Sequence, residues 1–220
     1  MDIPKPKIIR SNRASISLQV DDNGELIVKA PRLMPKFLIN KFINEKSEWI
    51  KKALNKISKT RNNKKSYMEG ERFLFLGKEY RLHLGNYSEI FLDNSNLNFP
   101  KVLFFRIEKE LKNWYIKNAK EKINQRLKFN AVKMNRNYNE VLFSDTKSKW
   151  GTCFHDNSLQ FNWRLIMAPI VVIDYVIIHE LTHTKEKNHS IKFWNNVKLF
   201  TPAYKQHRKW LKENGRTLVI

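Results

Sequence analysis

His179-Glu180-Leu181-Thr182-His183, with His189 downstream, is the stretch of this 220-residue chain whose residue types and spacing could do chemistry. On a helix, a step of four residues turns the chain through about 400°, so His179 and His183 stand one turn apart on one face and two imidazoles can share a metal ion. Glu180 points roughly 100° away, beside the ion rather than onto it, where it can take a proton from a water that the ion holds. These are the parts of a metal-dependent hydrolase. Zinc is the expected ion, one per chain, although another divalent ion suits the same donors.

Catalytic zinc takes three protein ligands and leaves a fourth position open. His189 is the expected third, because Asn188 suits the left-handed geometry that ends a helix and turns the chain back. Glu186, His155 and His207 are the competing donors. The spacing of the three histidines matches the metzincin pattern, yet that pattern wants Gly where Glu186 stands and a methionine turn downstream. All five methionines lie at or before Met167, so a metzincin is excluded. The reaction also needs a donor to the developing oxyanion, and spacing leaves Arg164, His155 and Tyr204 open for that role.

The elements that must position these residues are legible around them. The motif closes an apolar stretch, Ile170 to Leu181, with Pro169 at its start, where a first helical residue tolerates proline, and Lys185 and Lys187 at its negative end. A helix apolar on nearly all sides is a buried one, and buried imidazoles and carboxylates are costly unless hydrogen-bonded or ligated. Val141 to Ser144 and Leu159 to Trp163 read as strands of a small sheet beside that helix, separated by Lys147-Ser148-Lys149-Trp150-Gly151-Thr152-Cys153 and the turn His155-Asp156-Asn157. After His189, the residues Ile191, Phe193, Trp194, Val197 and Leu199 predict a short helix whose aromatics anchor the loop of the third ligand. Pro202 interrupts it, and a last helical segment reaches about Glu213. Upstream, an amphipathic helix is expected from about Val102 to Phe129, with Phe104, Leu111, Trp114, Tyr115, Ala119, Ile123 and Leu127 in its stripe.

The first part of the chain is expected to be β-rich. Alternation over Ala14 to Val20, the turn Asp21-Asp22-Asn23-Gly24 and the strand Glu25 to Val28, ended by Pro31, form one hairpin; Glu71 to Leu84 forms a second around Gly77-Lys78. A short strand, Glu89 to Leu92, leads through Asp93-Asn94-Ser95-Asn96 towards Pro100. A single helix is expected from Pro35 to about Ser58, running into a basic linker that reaches Ser66. The domain reading is a β-rich segment with one helix over 1–98 and the metal-binding region over 99–220.

One cysteine, Cys153, excludes an internal disulfide and points to a reducing compartment. The N-terminus, Met1-Asp2-Ile3-Pro4, lacks the apolar core of a signal peptide, so the expected location is cytoplasmic, with no membrane partner. Lys and Arg number 42 against 21 acids, a net charge of +21, which attracts polyanions, nucleic acid among them, in a salt-dependent way.

The stretch Lys147-Ser148-Lys149-Trp150-Gly151-Thr152-Cys153, then Asn162-Trp163-Arg164-Leu165, Ala168-Pro169, Asp174-Tyr175-Val176, the motif itself, Asn188-His189-Ser190 and Phe193-Trp194 resembles the YgjP-like metallopeptidases. These are distantly similar to SprT-like and WLM-type proteases. Weaker similarity reaches back through Leu76-Gly77-Lys78-Glu79-Tyr80, Trp49-Ile50 and Ala30-Pro31. The resemblance implies an α+β fold in which a zincin-like (minigluzincin-like) domain follows the β-rich segment, with zinc on His179, His183 and His189 and Glu180 as the catalytic carboxylate. Lys149 stands where the family often has Arg, and Thr152 where it often has Ser. Trp150, Asn162 and Arg164 of this block are the candidate substrate contacts. A peptide or protein is the leading substrate. The alternatives are a nucleotide phosphoanhydride, or a nucleic-acid-associated role with a structural metal; Glu180 argues against the last, because a purely structural site needs no base.

Overall fold

The computed structural model describes residues 3–21, 24–61, 65–146 and 149–220. Asp22 and Asn23 of the expected turn, Lys147 and Ser148 of the motif-bearing stretch, and part of the basic linker lie outside the described residues. The fold is mixed α and β, and the chain divides into two compact units, Met1–Lys64 and Lys65–Ile220.

In the first unit, β1 (Lys7–Ser11), β2 (Ser17–Val20) and β3 (Leu26–Pro31) form a sheet of order β1-β3-β2. β2 and β3 are the expected hairpin, antiparallel with Ser17 opposite Lys29. β1 is an addition, parallel to β3, and its sequence Lys-Ile-Ile-Arg-Ser lacks the alternation that marks a strand. The single helix expected over 35–58 is two, α1 (Lys36–Glu45) and α2 (Ser47–Arg61), separated at Lys46, which leaves helical geometry with φ −98° and ψ 10°. The break lets Ile39 and Ile43 of α1 and Ile50 of α2 share one core with Leu26, Val28 and Ala30.

The second unit begins with β4 (Arg72–Phe75), β5 (Lys78–Gly85), β6 (Phe91–Leu92) and β7 (Asn96–Pro100), in the order β4-β5-β7-β6. The β4–β5 hairpin turns on Leu76 and Gly77, both with positive φ, one residue before the expected Gly77-Lys78. That turn is docked: the N–H groups of Leu76 and Gly77 donate to the carbonyls of Ile166 and Met167 at 2.7 and 3.1 Å. A Cβ on Gly77 would stand 2.8 Å from Pro169 Cα, so glycine is required twice over, by its φ and by this approach. β7 runs parallel to β5, a strand that its two asparagines and terminal proline conceal.

A 3₁₀ segment, Lys101–Arg106, delays the long helix, so α3 spans Ile107–Met134 and Phe104 stays largely exposed rather than joining the stripe. Leu111, Tyr115, Ala119, Ile123 and Leu127 recur every four residues and are buried. After this helix comes a sheet of β8 (Val141–Ser144), β9 (Gly151–Cys153) and β10 (Leu159–Asn162), ordered β8-β10-β9. β10 is parallel to β8 and antiparallel to β9, which leaves β9 as an edge. A 3₁₀ segment, Trp163–Met167, leads into α4 (Ile170–His183); α5 (Ile191–Phe200) and α6 (Tyr204–Asn214) follow. Pro169 is the residue before the first helical one, not the first itself. Among the described residues, no helix is long and apolar enough to cross a membrane.

Candidate functional site

Positioning starts with α4. Val172, Ile173, Val176, Ile177 and Leu181 are buried, which fixes the rotation of the helix about its axis. Its position is set by Asp174, which takes Arg126 of α3 in two parallel bonds, Nε to Oδ1 at 2.7 Å and a terminal nitrogen to Oδ2 at 2.5 Å, with Asn130 adding a third donor at 3.2 Å. The remaining face carries His179 and His183 one turn apart.

His189 is brought to them by the short reversal after α4. The expected left-handed Asn188 is not found: it is absent from the positive-φ residues. The chain instead turns through right-handed bonds, with the N–H groups of Lys185 and Glu186 both donating to the Thr182 carbonyl at 3.2 and 3.0 Å. Lys187 ties this loop down by donating to the carbonyls of Phe154 and His155 and to Asn157 Oδ1 at 2.6 Å. Ser190 caps α5, accepting from the N–H of Phe193 at 3.3 Å. Phe193 is buried with its ring centroid 4.4 Å from that of His183 and 4.7 Å from that of His189, and Trp194 stacks on His189. The aromatics of α5 therefore form the bed on which the imidazoles lie.

The three Nε2 atoms converge. His189 Nε2 is 3.2 Å from that of His183 and 3.1 Å from that of His179. Among the described residues this is the cluster of histidine, cysteine and carboxylate donors compact enough for one ion; Glu186, His155 and His207 are not in it. Nδ1 of His183 lies 3.0 Å from the Glu186 carbonyl, and donation there leaves the Nε2 lone pair facing the cluster. Nδ1 of His179 is buried without a partner, so packing against Tyr175, Phe193 and Trp194 orients that ring. Burial, then the neighbouring histidines and Arg208, push His179 down to about 3, which keeps it neutral. Burial also lowers His183.

Glu180, next to His179 on the helix, packs against the edge strand. It is only 5% exposed, and burial pushes it up to about 8, opposed by the Cys153 N–H, which donates to the carboxylate, and by Lys149. A Cβ on Gly151 would meet Glu180 Oε1 at 2.5 Å, so β9 passes close because it has glycine there.

Beside Glu180 and His179 opens a cavity of about 330 Å³, walled by Trp150 and Gly151, by Tyr175 and Val176 of α4, and by Arg208, Leu211 and Lys212 of α6. Trp150 is thus placed at the site. Asn162 is buried and engaged elsewhere. Its Oδ1 caps the 3₁₀ segment by accepting from the Arg164 N–H, and its amide donates to the carbonyls of Thr146 and Lys149. Arg164 is ion-paired with Asp145, which also takes Lys112, and its guanidinium lies over Trp163. Of the three oxyanion-donor candidates, Tyr204 stacks on Trp194 at 5.2 Å, and Trp194 in turn stacks on His189. His155 lies with Glu140 and Asp156 on a second cavity. Arg208 and Lys212 are cavity residues that sequence reasoning passed over; their only signal is that they fall one and two helical turns after Tyr204.

No curated protein and no solved structure matches the chain. A family described as "YgjP-like, metallopeptidase domain" matches residues 14–214. That range covers both units and every residue that meets at the histidine cluster and its cavity, and the chain belongs to the YgjP-like family of metallopeptidase domains.

Proposed function

We propose that this chain is a zinc-dependent peptidase in which His179, His183 and His189 hold one zinc ion and Glu180 is the general base. The observation that supports it is the convergence of three imidazole nitrogens, at 3.1 and 3.2 Å, beside a buried carboxylate. The donor set fits the ion: two nitrogen ligands at about 2.0–2.1 Å on a tetrahedral centre are themselves about 3.3–3.4 Å apart. An ion bound there supplies Lewis acidity, lowering the pKa of a coordinated water to about 7 and polarising the scissile carbonyl.

The chain's own groups do the proton work. Glu180 takes a proton from the attacking water and delivers it to the departing nitrogen. Burial raises its basicity, and the Cys153 N–H holds its carboxylate in one orientation. The helix, its loop and α5 fix the imidazoles, so little reorganisation is left for the reaction itself. Residues 99–220 supply all of these groups and form the catalytic region.

The test combines metal analysis with a substrate panel of peptides and nucleoside triphosphates. We expect about one zinc per chain, lost in His179→Ala and in His183→Ala, and peptide cleavage abolished in Glu180→Gln with zinc retained. Full zinc retention in both histidine variants would end the metal assignment. Loss of phosphate release, but not of peptide cleavage, in Glu180→Gln would count against a peptidase.

A further inference from the structure

The cavity beside Glu180 has a charge pattern that proton transfer does not require. Lys149 stands on one side of it and Arg208 and Lys212 of α6 on another, while Glu180 is the single acid among the described residues of its lining. On a chain of net charge +21 a basic surface is ordinary. Three cations gathered around a concave space, with one acid among them, are not. The nearby acids are taken by other cations: Asp174 by Arg126, and Asp145 by Lys112 and Arg164. Glu213, the acid next along α6, pairs with Lys209 instead. Arg208 and Lys212 are four residues apart and so project from the same face of the helix.

Arg208 is exposed and lies over an aromatic ring. Its guanidinium carbon lies 5.5 Å from the Trp194 ring centroid, and that ring is stacked between Tyr204 and His189. The Arg208 guanidinium offers two parallel N–H groups, the match for a carboxylate. The other walls, Trp150, Tyr175 and Leu211, suit a short methylene stem. At about 330 Å³ the space is at the small end of ligand pockets, roughly 300–1,000 Å³, with room for a side chain and its flanking backbone.

We propose that Arg208, with Lys149 and Lys212, makes this cavity a specificity pocket for a carboxylate of the peptide substrate, either an Asp or Glu side chain beside the scissile bond or the substrate's own C-terminus. The assignment rests on the peptidase reading above, and it names Arg208 as the residue that selects.

The test uses the full zinc-loaded chain and peptide mixtures randomised everywhere except one fixed Glu or fixed Gln, each made with a free and an amidated C-terminus. Binding is measured by calorimetry on Glu180→Gln, and cleavage on the unsubstituted chain. The expected result is at least tenfold preference for a carboxylate over its amide in both measurements. The arm that carries it, Glu against Gln or free against amidated, identifies the source. In Arg208→Gln the ratio falls towards one, in Lys212→Gln it falls less, and in Arg208→Glu it inverts in favour of a fixed Lys. Binding that discriminates while no peptide is cleaved keeps the pocket and removes the peptidase reading. Cleavage without preference, or a preference unchanged in Arg208→Gln and Lys212→Gln, overturns the pocket and leaves that reading standing. Inorganic triphosphate binding that Arg208→Gln weakens, with the Glu to Gln ratio untouched, overturns it in favour of a phosphate site.

Discussion

Glu180 and Gly151 depend on each other. The carboxylate lies where a side chain on β9 would be, with a hypothetical Cβ only 2.5 Å from Oε1. Gly151→Ala is expected to displace Glu180 by roughly an ångström, which costs about 10²-fold in rate when a reacting group is involved. Zinc content should be unchanged, because the nearest atoms to a Cβ on Gly151 all belong to Glu180 and none to an imidazole. Peptide cleavage measured alongside metal analysis checks both halves, and equal loss of zinc and activity would show that the strand supports the ion as well. At this scale the sequence is informative about donors and silent about surroundings. His179 and His183 are readable because four-residue spacing on a helix has one geometric meaning. Gly151 and the Cys153 N–H are not, since their role exists only after β9 and α4 meet. Asn162 and Arg164 show the converse: both sit in a stretch that suggests substrate contact, and both are engaged with neighbouring backbone or with Asp145.

Among the elements, α4 is carried by others more than by its own cap. Pro169 provides no side-chain hydrogen bond at its N-terminus. The helix is located instead by Asp174 on Arg126 and Asn130 of α3, and by the β4–β5 turn docked just before it. Asp174→Ala leaves the partly buried Arg126 without its carboxylate and is expected to cost about 2–3 kcal/mol of folding stability, read from denaturant midpoints at unchanged slope. Arg126→Ala in the same background should add little, because the two side chains act as one unit. The long helix, the apolar α4 and the β2–β3 and β4–β5 hairpins were all legible from period and turn chemistry. The parallel strands β1 and β7 were not, because each pairs with a strand remote in sequence and neither alternates cleanly. The division of the 35–58 helix at Lys46 is likewise settled by the need to face one core with both pieces.

For the whole molecule, the proposed ion binds the folded state, so it is a source of stability as well as of reactivity. At free zinc a thousandfold above the dissociation constant, linkage contributes about 4 kcal/mol, which for a chain of this length raises the melting temperature by about 10 °C. Adding a chelator should therefore lower the melting temperature by a comparable amount, and His183→Ala should be insensitive to it. A melting curve that does not respond to chelation in the unsubstituted chain would show that the histidine cluster binds no ion tightly. The fold class and the family were accessible from the sequence because their signals are local runs; the charge-lined cavity was not, since Lys149, Trp150 and Arg208 become neighbours only in the folded unit.

The three imidazoles all come from residues 179–189, and the turn that joins them is closed by its own short-range bonds. Closing so short a loop costs little chain entropy, so the donor set depends chiefly on one stretch of chain. In the proposed enzyme the ion would rest on that stretch, steadied by Lys187, while the base needs a second segment, β9, packed against it.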